Sequence, residues 1–229
     1  VDIFFSLGKD QGKICNDLGG QINCFKPVGS LFMEHGWFKQ KKDLIKIPDV
    51  DILIIGINAP WPTGCINDDF HESYYNKFIL WLKKLSEDFP NKKIYYKHHS
   101  YFKGDSKEKD ILAKSNIRVI VDDNSINSTY GWAFKSKIVF SFASTMIVEL
   151  LGNEKQAFFI DPGGINFQWF YGIKNLENYK IKTYNDLKRI CLDENLKKNN
   201  FINENKSFHC LPSHNTSEII SIFLKNKSV

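Results

Sequence analysis

Val50-Asp-Ile-Leu-Ile-Ile-Gly-Ile57 is an apolar, β-branched run that ends in Asn58-Ala-Pro-Trp61-Pro-Thr-Gly64, and its surroundings decide the fold. A short continuous apolar run bounded by turn residues reads as a buried strand. Downstream, Tyr74, Phe78, Leu82 and Leu85 recur at three- and four-residue spacing with Lys and Glu between them, which predicts a helix with one face on a sheet. Pro90 ends that helix, and a second apolar run near residues 93–98 follows. A strand, a helix of that length and another strand make a βαβ unit, the building block of a parallel sheet.

Working outward, the same alternation predicts strands at about 2–6, 22–28, 51–57, 93–98, 117–121, 137–142 and 156–160. Helices are expected at about 11–18, 72–88, 106–115, 126–134, 144–152, 183–193 and 214–225. The expected class is α/β, a Rossmann-like parallel sheet with flanking helices. Gly29-Ser30, Gly36, a Lys-rich stretch and Pro48 interrupt the periodicity, so 1–48 reads as the end of a partner lobe with a linker and 49–229 as the Rossmann-like domain. The chain opens on Val1 inside a strand-like stretch, which suggests a cut within a longer polypeptide.

Composition removes several classes. With 42% hydrophobic and 25% charged residues in 229, the chain has the profile of an ordinary globular protein. No apolar run approaches the ~18 residues of a spanning helix. Five widely spaced cysteines include no Cys-x-x-Cys, so reduced thiols and a cytoplasmic setting are expected, with no metal and no cofactor. Net charge is +5, yet only Arg118 and Arg189 among the 31 basic residues are arginine, which argues against nucleic acid as partner. The mildly basic surface suits a nucleotide sugar, or a peripheral position at the inner membrane face near a lipid-linked glycan acceptor or a synthase partner.

Open α/β sheets bind ligands beyond the carboxyl ends of their strands, so the residues just after each apolar run are the candidates. Ser144 and Thr145 follow the strand ending in Ser141-Phe142 and open an apolar helix, where backbone N–H groups and hydroxyls can hold a phosphate. Glu149, one turn on, can share that face and accept from a ribose. A plain helix cap at Ser144 is the competing reading. Lys97-His98-His99-Ser100 sets a cation and two imidazoles at another strand end, suited to holding a phosphate and delivering a proton. Strand alternation sends the two imidazoles to opposite sides, so one of them faces the ligand. Asn58, Trp61 and Asp123 are further candidates for donor contacts, set against ordinary roles in loop packing and turns. Gly163-Gly164 reads first as a turn.

At these two sites the sequence resembles the C-terminal lobe of bacterial GT-B transferases of surface carbohydrate, especially capsule and lipopolysaccharide enzymes that use CMP-activated Kdo or sialic acid. Those families carry a Lys-Pro-His-Pro or His-Pro element on one strand end and a Ser-Ser or Ser-Thr element opening a later helix. Lys97-His98-His99-Ser100 stands in the first place, with His99 matching the motif histidine, and Ser144-Thr145 with Glu149 in the second. The resemblance implies that His99, Ser144 and Thr145 hold the nucleotide phosphate and that the histidine assists departure of CMP. Both motif prolines are missing here, which leaves His98 open beside His99. It spans roughly Asp51 to Val229, and more loosely Asp2–Gly8 with Val28–Ser30 as the exit from a first lobe, so the acceptor lobe and its catalytic base are expected to be largely outside this chain. Two other readings remain: a CDP-glycerol-type polyol-phosphate transferase, and a non-catalytic module that binds nucleotide or sugar or assembles with a partner.

Overall fold

A computed structural model of the chain describes residues 3–9, 11–35, 47–56, 68–99, 106–120, 126–142, 144–164, 173–193, 201–205 and 215–226. The protein is α/β, with a parallel sheet flanked by helices. Two strands, β1 (Ile3–Ser6) and β2 (Cys24–Pro27), pair in parallel through the helix α1 (Gln11–Asp17). A short helix α2 (Leu31–Met33) follows, capped by Ser30, whose Oγ accepts from the Met33 N–H at 3.1 Å.

The main sheet begins at β3 (Val50–Ile55) and continues through β4 (Ile94–Lys97), β5 (Arg118–Val119), β6 (Ser136–Ser141), β7 (Gln156–Ile160) and β8 (Lys180–Ile181). Its order is β5-β4-β3-β6-β7-β8, with all six strands parallel. The helices are α3 (Asp68–Asp88), α4 (Ser106–Ala113), α5 (Ile126–Lys135), α6 (Thr145–Leu151), α7 (Tyr184–Leu192), α8 (Phe201–Asn205) and α9 (Thr216–Lys225). Counted from β3, the order is 3-2-1-4-5-6, which reverses direction between β3 and β6.

Helix α3 forms where the spacing predicts: Tyr74, Phe78, Leu82 and Leu85 are all buried, while Lys77, Lys83 and Lys84 face solvent. Each such buried side chain stabilises the fold by about 1.5–3 kcal/mol relative to exposure. Adjacent residues of β4 show how the layers divide. Tyr95 meets Trp132 of α5 at 5.0 Å, whereas Tyr96 points the other way, toward the side where His98 meets α4. Helices α3 and α4 therefore cover one face and α5 the other. Helix α6 joins the α5 face through Tyr130 and Glu149, and α7 joins the α3 face through Tyr184, whose Oη donates to Asp88 at 2.7 Å.

The segment read as a linker contributes to the interior at its start, where Met33 is fully buried in the core. Glu34, only 1% exposed, accepts from the N–H and Oγ of Ser217 at 2.7 and 2.9 Å, while Thr216 Oγ1 donates to the Val28 carbonyl at 3.0 Å. Phe223 of α9 meets Phe5 of β1 edge-on at 5.8 Å. The final helix therefore returns to the first strands. Asn215 makes no side-chain cap, and the Glu34 carboxylate takes that place at the positive end of α9. No helix among the described residues is long and apolar enough to cross a membrane.

Candidate functional site

The carboxyl ends of β4, β3 and β6 lie in one row, because Ile55 is in register with both Lys97 and Ser141. The Gly56 N–H extends that row by donating to the Lys97 carbonyl at 2.8 Å, and Ser141 Oγ bridges β6 to β3 by donating to the Ile55 carbonyl at 3.4 Å. In open sheets of this kind the point where strand order reverses is the general ligand position, the crevice beyond the strand ends. Gly56 is required by close approach: a Cβ there would lie 2.4 Å from Tyr96 Oη.

At the end of β4, on one side of the reversal, stand Lys97, His98 and His99. Lys97 is buried and, by alternation, on the α5 face with Tyr95. His99 is half-buried. His98 lies on the α4 face with its ring edge-on to Tyr96 at 5.1 Å, and its Nδ1 is 3.1 Å from Oε1 of Glu108. Glu108 is fully buried, and its other oxygen accepts from Tyr75 Oη at 2.6 Å. His98 thus has the Glu108 carboxylate beside it.

On the other side, Ser144 is the N-cap of α6, with extended backbone and Oγ accepting from the Met146 N–H at 3.3 Å. Thr145 begins the helix and is exposed. Glu149 is 5% exposed, and its carboxylate accepts from Tyr130 Oη at 2.8 Å and from Ser30. Burial pushes its carboxyl up from the usual range, against the lowering effect of those two bonds. Glu149 thereby ties α6 to α5 and to the cap of α2.

Beyond β7, Asp161 is fully buried and accepts from Tyr74 Oη at 2.9 Å. Burial first, and then the Asp161 carboxylate, raises the phenol of Tyr74 well above its ordinary value. Gly163-Gly164 sits in a turn, with Gly164 at a φ of 68° and its N–H donating to the Asp161 carbonyl at 3.3 Å. Asn58, Trp61 and Asp123 lie outside the described residues. Among the described residues, no group of three or more His, Cys, Asp or Glu side chains is placed to hold a metal ion.

A surface cleft of about 260 Å³ between α3 and α4, lined by Lys83, Glu87, Asp110 and Lys114 among others, is at the opposite edge. Those residues belong to the ends of the helices that lead into β4 and β5, so the cleft opens at the amino side of the sheet, away from the row described above.

No protein-family model matches the chain, and neither a curated protein nor a solved structure matches it.

Glu108 and Tyr75 are the functional candidates that sequence reasoning missed. Lys107-Glu-Lys-Asp110 has the look of a solvated charge run. The available signal was register: Glu108 precedes the buried Leu112 by four residues and so shares its inward face.

Proposed function

We propose that the chain carries the nucleotide-binding unit of a glycosyltransferase of bacterial surface polysaccharide synthesis, a GT-B-type C-terminal lobe with a fragment of the preceding lobe, taking a CMP-activated sugar such as CMP-Kdo. The observation that carries this reading is the reversal of strand order between β3 and β6, with Lys97, His98 and His99 on one side of the crevice and Ser144 and Thr145 on the other. The pairing of β1, β2 and α2 with α9 supports a connection to a first lobe.

In this reading the bond between the anomeric carbon and the phosphate oxygen breaks, and CMP leaves with the electron pair. Lys97, an imidazole and the hydroxyls of Ser144 and Thr145 neutralise the developing charge. The acceptor hydroxyl forms the new bond and gives its proton to a base on the acceptor lobe.

Calorimetric titration with CMP, CDP, UDP and GDP tests the proposal, on the intact chain, on Ser144→Ala and on a double variant His98→Ala/His99→Ala that removes whichever imidazole meets the phosphate, each checked for folding by circular dichroism. Preferential CMP binding, weakened roughly ten-fold by loss of a charge-assisted contact, is the expected result. Preferential CDP binding would move the assignment to a polyol-phosphate transferase.

A second reading has its own observation. Ser144 Oγ is already bonded to the Met146 N–H, and Glu149 to Tyr130 and Ser30, which is what a purely structural helix start requires. A non-catalytic module predicts no nucleotide binding by the folded chain.

A further inference from the structure

The residues around His98 make a relay that crosses three elements. Tyr75 on α3 donates to Glu108 on α4 at 2.6 Å, and Glu108 faces Nδ1 of His98, at the end of β4, at 3.1 Å. The contact between Glu108 and His98 is electrostatic, within ion-pair distance but off the alignment of a hydrogen bond. A carboxylate so close to a bare ring nitrogen would meet its lone pair, so the proton belongs on Nδ1 and Nε2 is the nitrogen left to exchange with a ligand.

Burial sharpens the point. Glu108 is 0% exposed, and a carboxylate taken fully out of water costs several kcal/mol unless partners compensate. Packing of α3 on α4 needs no charge there; a leucine would serve. His98 Nδ1 is sealed while the side chain as a whole keeps 16% exposure, so what reaches solvent is the rest of the ring. The Tyr96 ring, edge-on at 5.1 Å, holds the imidazole from a further side.

We propose that Glu108, steadied by Tyr75, is a positioning residue that fixes His98 with its proton on Nδ1, making His98 the imidazole that meets the ligand phosphate. The ligand half rests on the nucleotide reading given above; the anchoring half does not.

The test uses the full chain labelled with ¹⁵N on histidine. Long-range ¹H–¹⁵N spectra are assigned with His98→Gln and His99→Gln variants. In the neutral ring, His98 is expected to show a protonated Nδ1 and a bare Nε2, a preference that Glu108→Gln reduces. Tyr75→Phe, which keeps the buried ring, provides a second variant that leaves the carboxylate with one partner fewer and shifts the same resonances. A protonated Nε2 with a bare Nδ1 in the unaltered chain overturns the anchoring.

CMP is then added. Movement of the His98 Nε2 resonance with His99 unchanged, and a loss of affinity of roughly ten-fold or more in His98→Gln, supports the assignment. Movement of His99 alone, or of neither ring while calorimetry records CMP binding, overturns it and leaves the nucleotide reading standing. Absence of CMP binding overturns that reading and the ligand half with it, while the Nδ1 result still decides the anchoring.

Discussion

Replacing Gly56 by alanine should destabilise the protein through a single, identifiable collision. The new Cβ would lie 2.4 Å from Tyr96 Oη, 2.9 Å from Cζ and 3.3 Å from Cε1, whereas ordinary contact begins at 3.4 Å, so the ring or the strand must yield 3.4 − 2.4 = 1.0 Å. Tyr96 has nowhere obvious to go: it is fully buried, and its ring rests against His98. Overpacking of this kind costs about 1–3 kcal/mol. Gly56 is not in the left-handed region, so alanine also gains about 0.4–1 kcal/mol by restricting the unfolded chain, for a net loss of about 1–2 kcal/mol. Urea unfolding should show this as a midpoint lowered by roughly 0.5 M at unchanged slope, taking a slope near 3 kcal/mol/M. Tyr96→Phe in the same background removes the nearest atom but leaves Cζ, so it should restore part of the loss, with a coupling of about 0.5–1 kcal/mol. Unaltered stability in Gly56→Ala, with no coupling to Tyr96→Phe, would refute the reasoning.

Three further outcomes are expected. Glu34→Ala removes both acceptors from the first turn of α9 and should cost about 1.5–3 kcal/mol in urea or thermal unfolding, the range for losing hydrogen bonds to a charged helix-capping group. Cys191, buried and with its thiol pushed up to about 12, should resist alkylation at pH 8 in the folded protein and react at once in denaturant, unlike the half-buried Cys15 and Cys24. The Tyr74 phenol has a raised value in the folded state, so its contribution is complete below pH 10. As pH rises above that, the unfolded chain ionises first and stability falls by about 1.4 kcal/mol per pH unit, a slope that Tyr74→Phe should reduce in pH-dependent urea titrations.

The sheet was legible where apolar runs are long. Val50–Ile55 and Ser136–Ser141 are central strands covered on both faces, so their buried residues form nearly continuous runs that periodicity finds. Strand β8 escaped because Lys180–Ile181 is a two-residue edge strand with one apolar residue, too short to leave a pattern. Helix α2 escaped because Gly29-Ser30 reads as a break, although Ser30 is also a helix-cap residue, and it serves as one. Within the site, Lys97, His98 and Ser144 announced themselves by lying at strand ends, and Glu149 by following Ser144 on the same helix. The partners that govern them did not: Glu108, Tyr75 and Ser30 come from other elements, and which hydroxyl meets which carboxylate is fixed by tertiary packing.

The return of α9 to the first strands has a consequence for synthesis. Ser217 binds Glu34 across 183 residues of chain, so the contact cannot form until that whole stretch has been made. At about 5–20 residues per second, that interval is roughly 9–37 s. Throughout it, the Glu34 carboxylate has no α9 to cap and β1 lacks Phe223 beside Phe5. The opening βαβ unit is therefore translated well before these contacts can form, and a nascent chain stalled before α9 should remain open to protease in β1, α1 and β2, while α2, joined to the sheet through Met33 and through Ser30 with Glu149, is already protected.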